Sequence, residues 1–313
     1  MRARDGRDSG GGSGGGQGGA GKSGTGRGGG ARYRGGVRRR VCVAGALATL
    51  LAGAVAPTAG AAAPVTGAAA GSVPPPDPAP GGPQRPYEPD VPGPENLDSL
   101  TARVTSDGAT PRGVRVAFDR VSRTESGGPP AAARRFVFLF DASLGFRPDA
   151  FPRCARPVIE ERGAAACPEG SLVGRGTSHA YPAGTAEVLA FNTRHPGGAR
   201  GALVVIPATG AILELTWERV TGPYRQQGYG WALDEILPPT AVPPGERVGT
   251  SRFELEWGAV RRTGGRPVSF AETSARPGGT LRIGLWSSFV TGQVALPWTT
   301  ARWQAASGER PAA

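Results

Sequence analysis

Gly16 to Ser23, GQGGAGKS, satisfies the spacing G-x-x-x-x-G-K-[ST], in which backbone amides cradle phosphates, the lysine pairs with them and the serine holds magnesium. That chemistry needs a buried strand to deliver the loop and a helix starting at the lysine, so that amides and helix dipole converge on the anion. The flanks, RARDGRDSGGGSGG and GTGRGGGARYRGG, hold almost no apolar side chain and no helical period, so a working P-loop is not expected. Glu254 and Glu256 share one face of the alternating segment SRFELEWGAV. Neighbours on one strand face approach the roughly 5 to 5.5 Å carboxyl separation that retaining glycoside hydrolysis uses. His179, in a strand-like run, and His195, in the turn NTRHPGG, are the only histidines. They leave a Ser-His-Asp arrangement open, but no G-x-S-x-G elbow accompanies them. No carboxylate-rich metal motif lies beside them, and neither metal nor cofactor is expected.

The elements that must position these residues are set by composition. The formal net charge is +11, but residues 1–61 carry +8 of it, leaving +3 for everything after. The remainder shows no basic helix, zinc-finger spacing or aromatic RNA-binding signature, which argues against a nucleic-acid partner. Lys22 is the only lysine and asparagine occurs twice, against abundant arginine, alanine, glycine and proline; such a bias fits translation from GC-rich DNA, as in actinobacteria.

Arg38 to Arg40, the apolar run Val41 to Val55, and the small residues Ala59 and Ala61 after Pro57 read as a secretory signal. The run holds 15 residues, short of the roughly 20 needed to span hydrocarbon, so no transmembrane span is expected in the mature form. The Gly/Arg tract 1–36 is long for a segment preceding such a signal, and Val37 read as a GTG start would remove it. The expected organisation is that tract, a signal peptide at 37–61, a Pro/Ala-rich disordered linker at 62–98, a secreted domain at 99–306 and a short disordered tail at 307–313.

Without Cys42, two cysteines remain, Cys154 and Cys167, and an even count in an exported chain points to one disulfide. Closing that loop contributes about 3 kcal/mol in the chain-entropy model. The segment from Gly145 to Asn192 is the most distinctive in the chain, with Cys167, Pro168, Ser171, Val173, Gly174 and Gly176 in the spacing CP-x-x-S-x-V-G-x-G. It resembles secreted actinobacterial proteins with no established activity, and the resemblance transfers none. A proline and two glycines at this spacing suit a turn and a strand with close backbone approach.

Val114, Val116 and Phe118 alternate with Arg115, Ala117 and Asp119; Leu213, Leu215 and Trp217 alternate with Glu214, Thr216 and Glu218; Phe253, Leu255 and Trp257 alternate with Arg252, Glu254 and Glu256. Such runs mark strands with one face buried. Glycine, proline and aspartate separate them, as in a sandwich or barrel and unlike βαβ units. The expected fold is all-β, an antiparallel β-sandwich or jelly-roll-like domain with one short helical insertion around FPRCARPVIEERG.

Glu254 and Glu256 resemble the alternating acids of jelly-roll glycosidases, but no third acid follows at the spacing those enzymes use, and a solvated outer face explains them. All six tryptophans lie between Trp217 and Trp303. Trp217 and Trp257 read as core, while Trp231, Trp298 and Trp303 could stack on sugar rings if exposed. Within YRQQGYGW, Tyr224, Tyr229 and Trp231 are the candidate ligand contacts. The sequence therefore reads as an exported, non-catalytic protein, structural or binding, with an envelope polysaccharide or another secreted protein as its partner. The alternative is a carbohydrate-active enzyme or carbohydrate-binding module.

Overall fold

Val114, Val116 and Phe118 are buried, and Arg115, Ala117 and Asp119 lie on the opposite, wetter face, as alternation predicts. The computed structural model of the chain describes residues 75–83, 86–236 and 242–304. The P-loop match, the secretory signal, Cys42 and the tail lie outside the described residues. The strands are β1 (Leu97–Ser106), β2 (Gly113–Arg123), β3 (Ala133–Asp141), β4 (Leu144–Phe146), β5 (Leu172–Ala180), β6 (Thr185–Arg194), β7 (Arg200–Ile206) and β8 (Ala211–Arg219). They continue with β9 (Tyr229–Ile236), β10 (Thr250–Trp257), β11 (Val260–Thr263), β12 (Arg266–Ser269), β13 (Ala271–Thr273), β14 (Thr280–Phe289), β15 (Val294–Ala295) and β16 (Trp298–Gln304). Two short helices, α1 (Arg156–Arg162) and α2 (Gly222–Gln226), interrupt them.

Eleven strands run β1, β16, β14, β3, β9, β8, β7, β6, β5, β10, β2, and β2 pairs back with β1. The sheet is a closed barrel, which corrects the expected sandwich or jelly roll. Both architectures bury alternate residues, so alternation in the sequence is the same for each. What separates them is the pairing of β1 on both its edges, with β2 from Leu97↔Arg123 to Ser106↔Val114 and with β16 through Val104↔Trp303 and Thr105↔Gln304. A ring with an odd number of strands cannot be antiparallel throughout, and β1 with β16 is its parallel pair.

Inward side chains fill the barrel, with Phe118 and Phe138 in contact at 4.6 Å between ring centroids and Trp217 set edge-on to Trp257. The end where β3 finishes is shut by β4, by the turn Pro148–Ala150 and by β13. There Phe146 stacks on Trp217 at 4.2 Å and Phe151 meets Phe270 edge-on at 5.3 Å. On the outer wall between β1, β2, β10 and β5 stand Arg103, Asp119, Arg175, Glu254 and Glu256. Among the described residues no helix is long and apolar enough to cross a membrane.

Two pieces of chain cover apolar patches on the outside. The first is α1 with its flanking cysteines, which seats Cys154 and Ile159 on Phe191, Leu203, Val205 and Ile212 of β6, β7 and β8. Cys154 and Cys167 are bonded, with their Cα atoms 5.2 Å apart. Asn192 holds the entry to this segment: its Nδ2 donates to the carbonyls of Pro148, Phe151 and Pro152, and its own carbonyl accepts from Cys154 N–H. The second is the Pro-rich stretch from Pro75 to Ala79, laid across Val137, Leu139, Ala232 and Trp286. Trp286 Nε1 donates to Pro75 O, Tyr224 Oη to Pro76 O, and Arg135 reaches both Asp77 and Asp234. Because β3 is covered on both faces, its sequence RRFVFLFD loses alternation.

The β5 glycines follow from barrel curvature. A Cβ on Gly176 would be driven into the backbone carbonyl of Glu254 on β10. Gly176→Ala is expected to lower stability by about 2 kcal/mol, the usual range for overpacking, in urea unfolding. Replacing Cys154 and Cys167 together by serine is expected to cost about 3 kcal/mol in the same assay. An unchanged midpoint would contradict either.

Candidate functional site at the barrel mouth

The end opposite the aromatic plug is built differently. Here β3, β8 and β10 begin and β5, β7 and β9 finish, and the inward positions of the last layer are Phe136, Ser178, Ile206, Leu213, Glu235 and Phe253. The segment from Val242 to Gly249 passes over them. Between this segment and the floor lies a cavity of about 450 Å³. That volume is within the usual range for small-molecule sites, and the mouth of a barrel is a usual place for one.

Glu235 is the exceptional member. In β9 it keeps the phase of Trp231 and Leu233, so it points inward, while Asp234 points outward to Arg135, whose Nε and Nη2 lie 2.7 Å from its oxygens. Glu235 is 2 % exposed and has no hydrogen-bond partner among the described residues. Burial first, and then the charge of Asp234, push its carboxyl up to about 8, against the opposing pull of Arg120. Its neighbour across the β3 ladder is Phe136.

The same layer holds a closed polar group. Arg120 Nε donates to Asp98 Oδ2 at 2.7 Å and its Nη2 to Oδ1 at 3.1 Å, while Ser122 Oγ donates to Asp98 Oδ1 at 2.6 Å. The third guanidinium nitrogen, Nη1, donates to Thr250 Oγ1, and the guanidinium carbon lies 4.8 Å from the centre of the Phe136 ring. Arginine and aspartate are therefore satisfied by each other. At the rim Arg247 is also engaged, its Nη1 and Nη2 donating to Glu88 and its Nε to Val242 O.

The residues singled out by the sequence lie elsewhere. Tyr224 and Tyr229, each 1 % exposed, sit beneath the Pro75 to Ala79 stretch, and burial raises both hydroxyls above the ordinary tyrosine range. Trp231 packs on the barrel core under the guanidinium of Arg219, 3.7 Å from its ring centre. Trp298 is covered in the same way by Arg282, and Trp217, Trp257 and Trp303 are core.

Glu254 and Glu256 flank a groove on the outer wall. Glu254 accepts from Thr177 and Arg252 at 2.6 Å each, and Glu256 lies 3.7 to 3.8 Å from Arg115 and Arg103. His179 bonds Thr185 near the mouth, whereas His195 donates to Leu215 O at the plugged end, so the two histidines are not brought together. The sequence reading passed over Glu235, Asp98 and Arg120. Their signal was phase, since each occupies an inward position of its strand.

Glu235 makes stability depend on pH in a defined direction. Its folded value lies above the 4.5 of an ordinary glutamate, so the folded state holds the proton more tightly. The corresponding stability is complete below pH 4.5 and is lost as pH rises through about 8. Glu235→Gln is expected to match the parent at pH 4 and to exceed it by about 5 kcal/mol at pH 9 in denaturant unfolding. Parallel pH profiles for the two proteins would refute this. No family model, curated protein or solved structure matches the chain.

Proposed function

We propose that this chain is an exported, non-catalytic binding protein that takes an apolar ligand into the mouth of its barrel. The observation that carries the reading is the 450 Å³ cavity lined by Phe136, Ile206, Leu213 and Phe253, at the one end of the barrel that aromatic side chains do not fill. A concave, mainly apolar surface with a few polar groups at the mouth of a barrel is what a small-molecule site presents. Export is supported by the Cys154–Cys167 bond, which persists in oxidising compartments.

An outer-wall role for Glu254 and Glu256 in sugar chemistry gains nothing from their surroundings, since arginines neutralise both.

The test is titration of the full chain with N-phenyl-1-naphthylamine, a neutral apolar dye whose emission rises in dry surroundings. Saturable binding at one site is expected, and Ala211→Phe, which fills the cavity from its rim, is expected to weaken it at least tenfold. Absence of saturable binding would overturn the reading. So would release of soluble sugar from a polysaccharide panel that Glu256→Gln abolishes.

A further inference from the structure

The chemistry of the cavity selects among apolar ligands, and the inference drawn from it rests on the binding function proposed above. Its cationic side chains are each already matched by a carboxylate. Arg120 spends its Nε and Nη2 on Asp98 and its Nη1 on Thr250; Arg247 spends its forked nitrogens on Glu88. The open valence belongs to an acceptor, the carboxyl of Glu235, buried and without a partner among the described residues. Glu246, exposed at the rim, adds a second negative charge to the entrance.

We propose that the barrel mouth binds an apolar molecule carrying a single amine, with the ammonium set against Glu235 and the hydrocarbon body against Phe136, Ile206, Leu213 and Phe253. A carboxylate-bearing ligand would meet Glu235 with every nearby cation already matched. An alcohol could donate one hydrogen bond but would leave Glu235 uncharged. An ammonium donates and also supplies the charge that lets Glu235 ionise inside an apolar wall, where opposite charges attract far more strongly than in water.

The charged groups around Glu235 are Arg120 and Asp98 from β2 and β1, Asp234 on the reverse face of its own strand, and Arg247 with Glu246 from the segment above. None of these is a histidine, and Glu235 itself, pushed up to about 8 by burial and by Asp234, exchanges its proton near neutral pH. Amine affinity is therefore expected to rise as pH climbs through that range, by up to about tenfold per pH unit, because the free site must release a proton to receive the cation.

The experiment is competition against N-phenyl-1-naphthylamine bound to the full chain at pH 6, 7 and 8, using dodecylamine and dodecanoate below their critical micelle concentrations and dodecanol below its solubility limit. Dodecylamine is expected to displace the dye at least tenfold more tightly than dodecanol at pH 8, with dodecanoate weakest. Glu235→Gln is expected to bring dodecylamine down to the affinity of dodecanol and to abolish its pH dependence, while dye and dodecanol still bind. Dye binding with equal displacement by all three compounds, or with dodecanoate strongest, would overturn the amine assignment and leave the binding function standing. Failure of the dye to bind the parent protein would instead remove the binding function itself.

Discussion

Closing a sheet of eleven strands forces one parallel pair, and the rest of the molecule is arranged around the place where that pair falls. β1 and β16 register only near the plugged end, at Val104 and Thr105. Toward the mouth the ladder lapses and side chains take over. Asn96 N–H donates to Gln293 Oε1 at 2.7 Å and Gln293 Nε2 returns to Asn96 O at 2.9 Å, while the Asn96 amide exchanges two further bonds with Ala131. One layer down, Arg120 of β2 reaches Asp98 of β1. Where main-chain pairing fails, buried polar atoms must find side-chain partners, as Asn96 and Gln293 do in each other.

The two ends of the barrel thus obey different rules. The plugged end is aromatic, with Phe140, Phe146, Phe151, Phe270, Trp217 and Trp257 linked ring to ring. The mouth combines a satisfied ion pair, an unmatched carboxyl and a cavity. An unmatched carboxyl in an apolar wall disfavours the empty folded state at neutral pH, and departures of this kind from the packing rules are expected where a protein does its work.

Strand identity was legible because each barrel strand reads locally: Leu213, Leu215 and Trp217 announce an inward face without reference to any other part of the chain. Closure was not legible, because it depends on β1 meeting β16 at Val104↔Trp303, a pairing that no local pattern encodes. The disulfide was legible from the parity of cysteines. Tyr224 and Tyr229 read as a glycine-rich loop because their cover, Pro75 to Ala79, lies about 150 residues earlier in a stretch whose composition signals disorder. Glu235 was hidden for a related reason: in ALDEIL two adjacent acids look solvated, and only the inward phase of Leu233 separates Glu235 from Asp234.

Pro75 to Ala79 also bears on how the protein behaves in bulk. Were the chain to begin at Leu97, Val137, Leu139, Ala232 and Trp286 would form a contiguous apolar patch on the outside of a finished barrel, and Arg135 would lose its bond to Asp77. Contiguous patches of that kind are where folded molecules stick to one another. Colloidal solubility is thus assigned to a few residues upstream of the first strand, so a fragment trimmed to the barrel would expose that patch and precipitate.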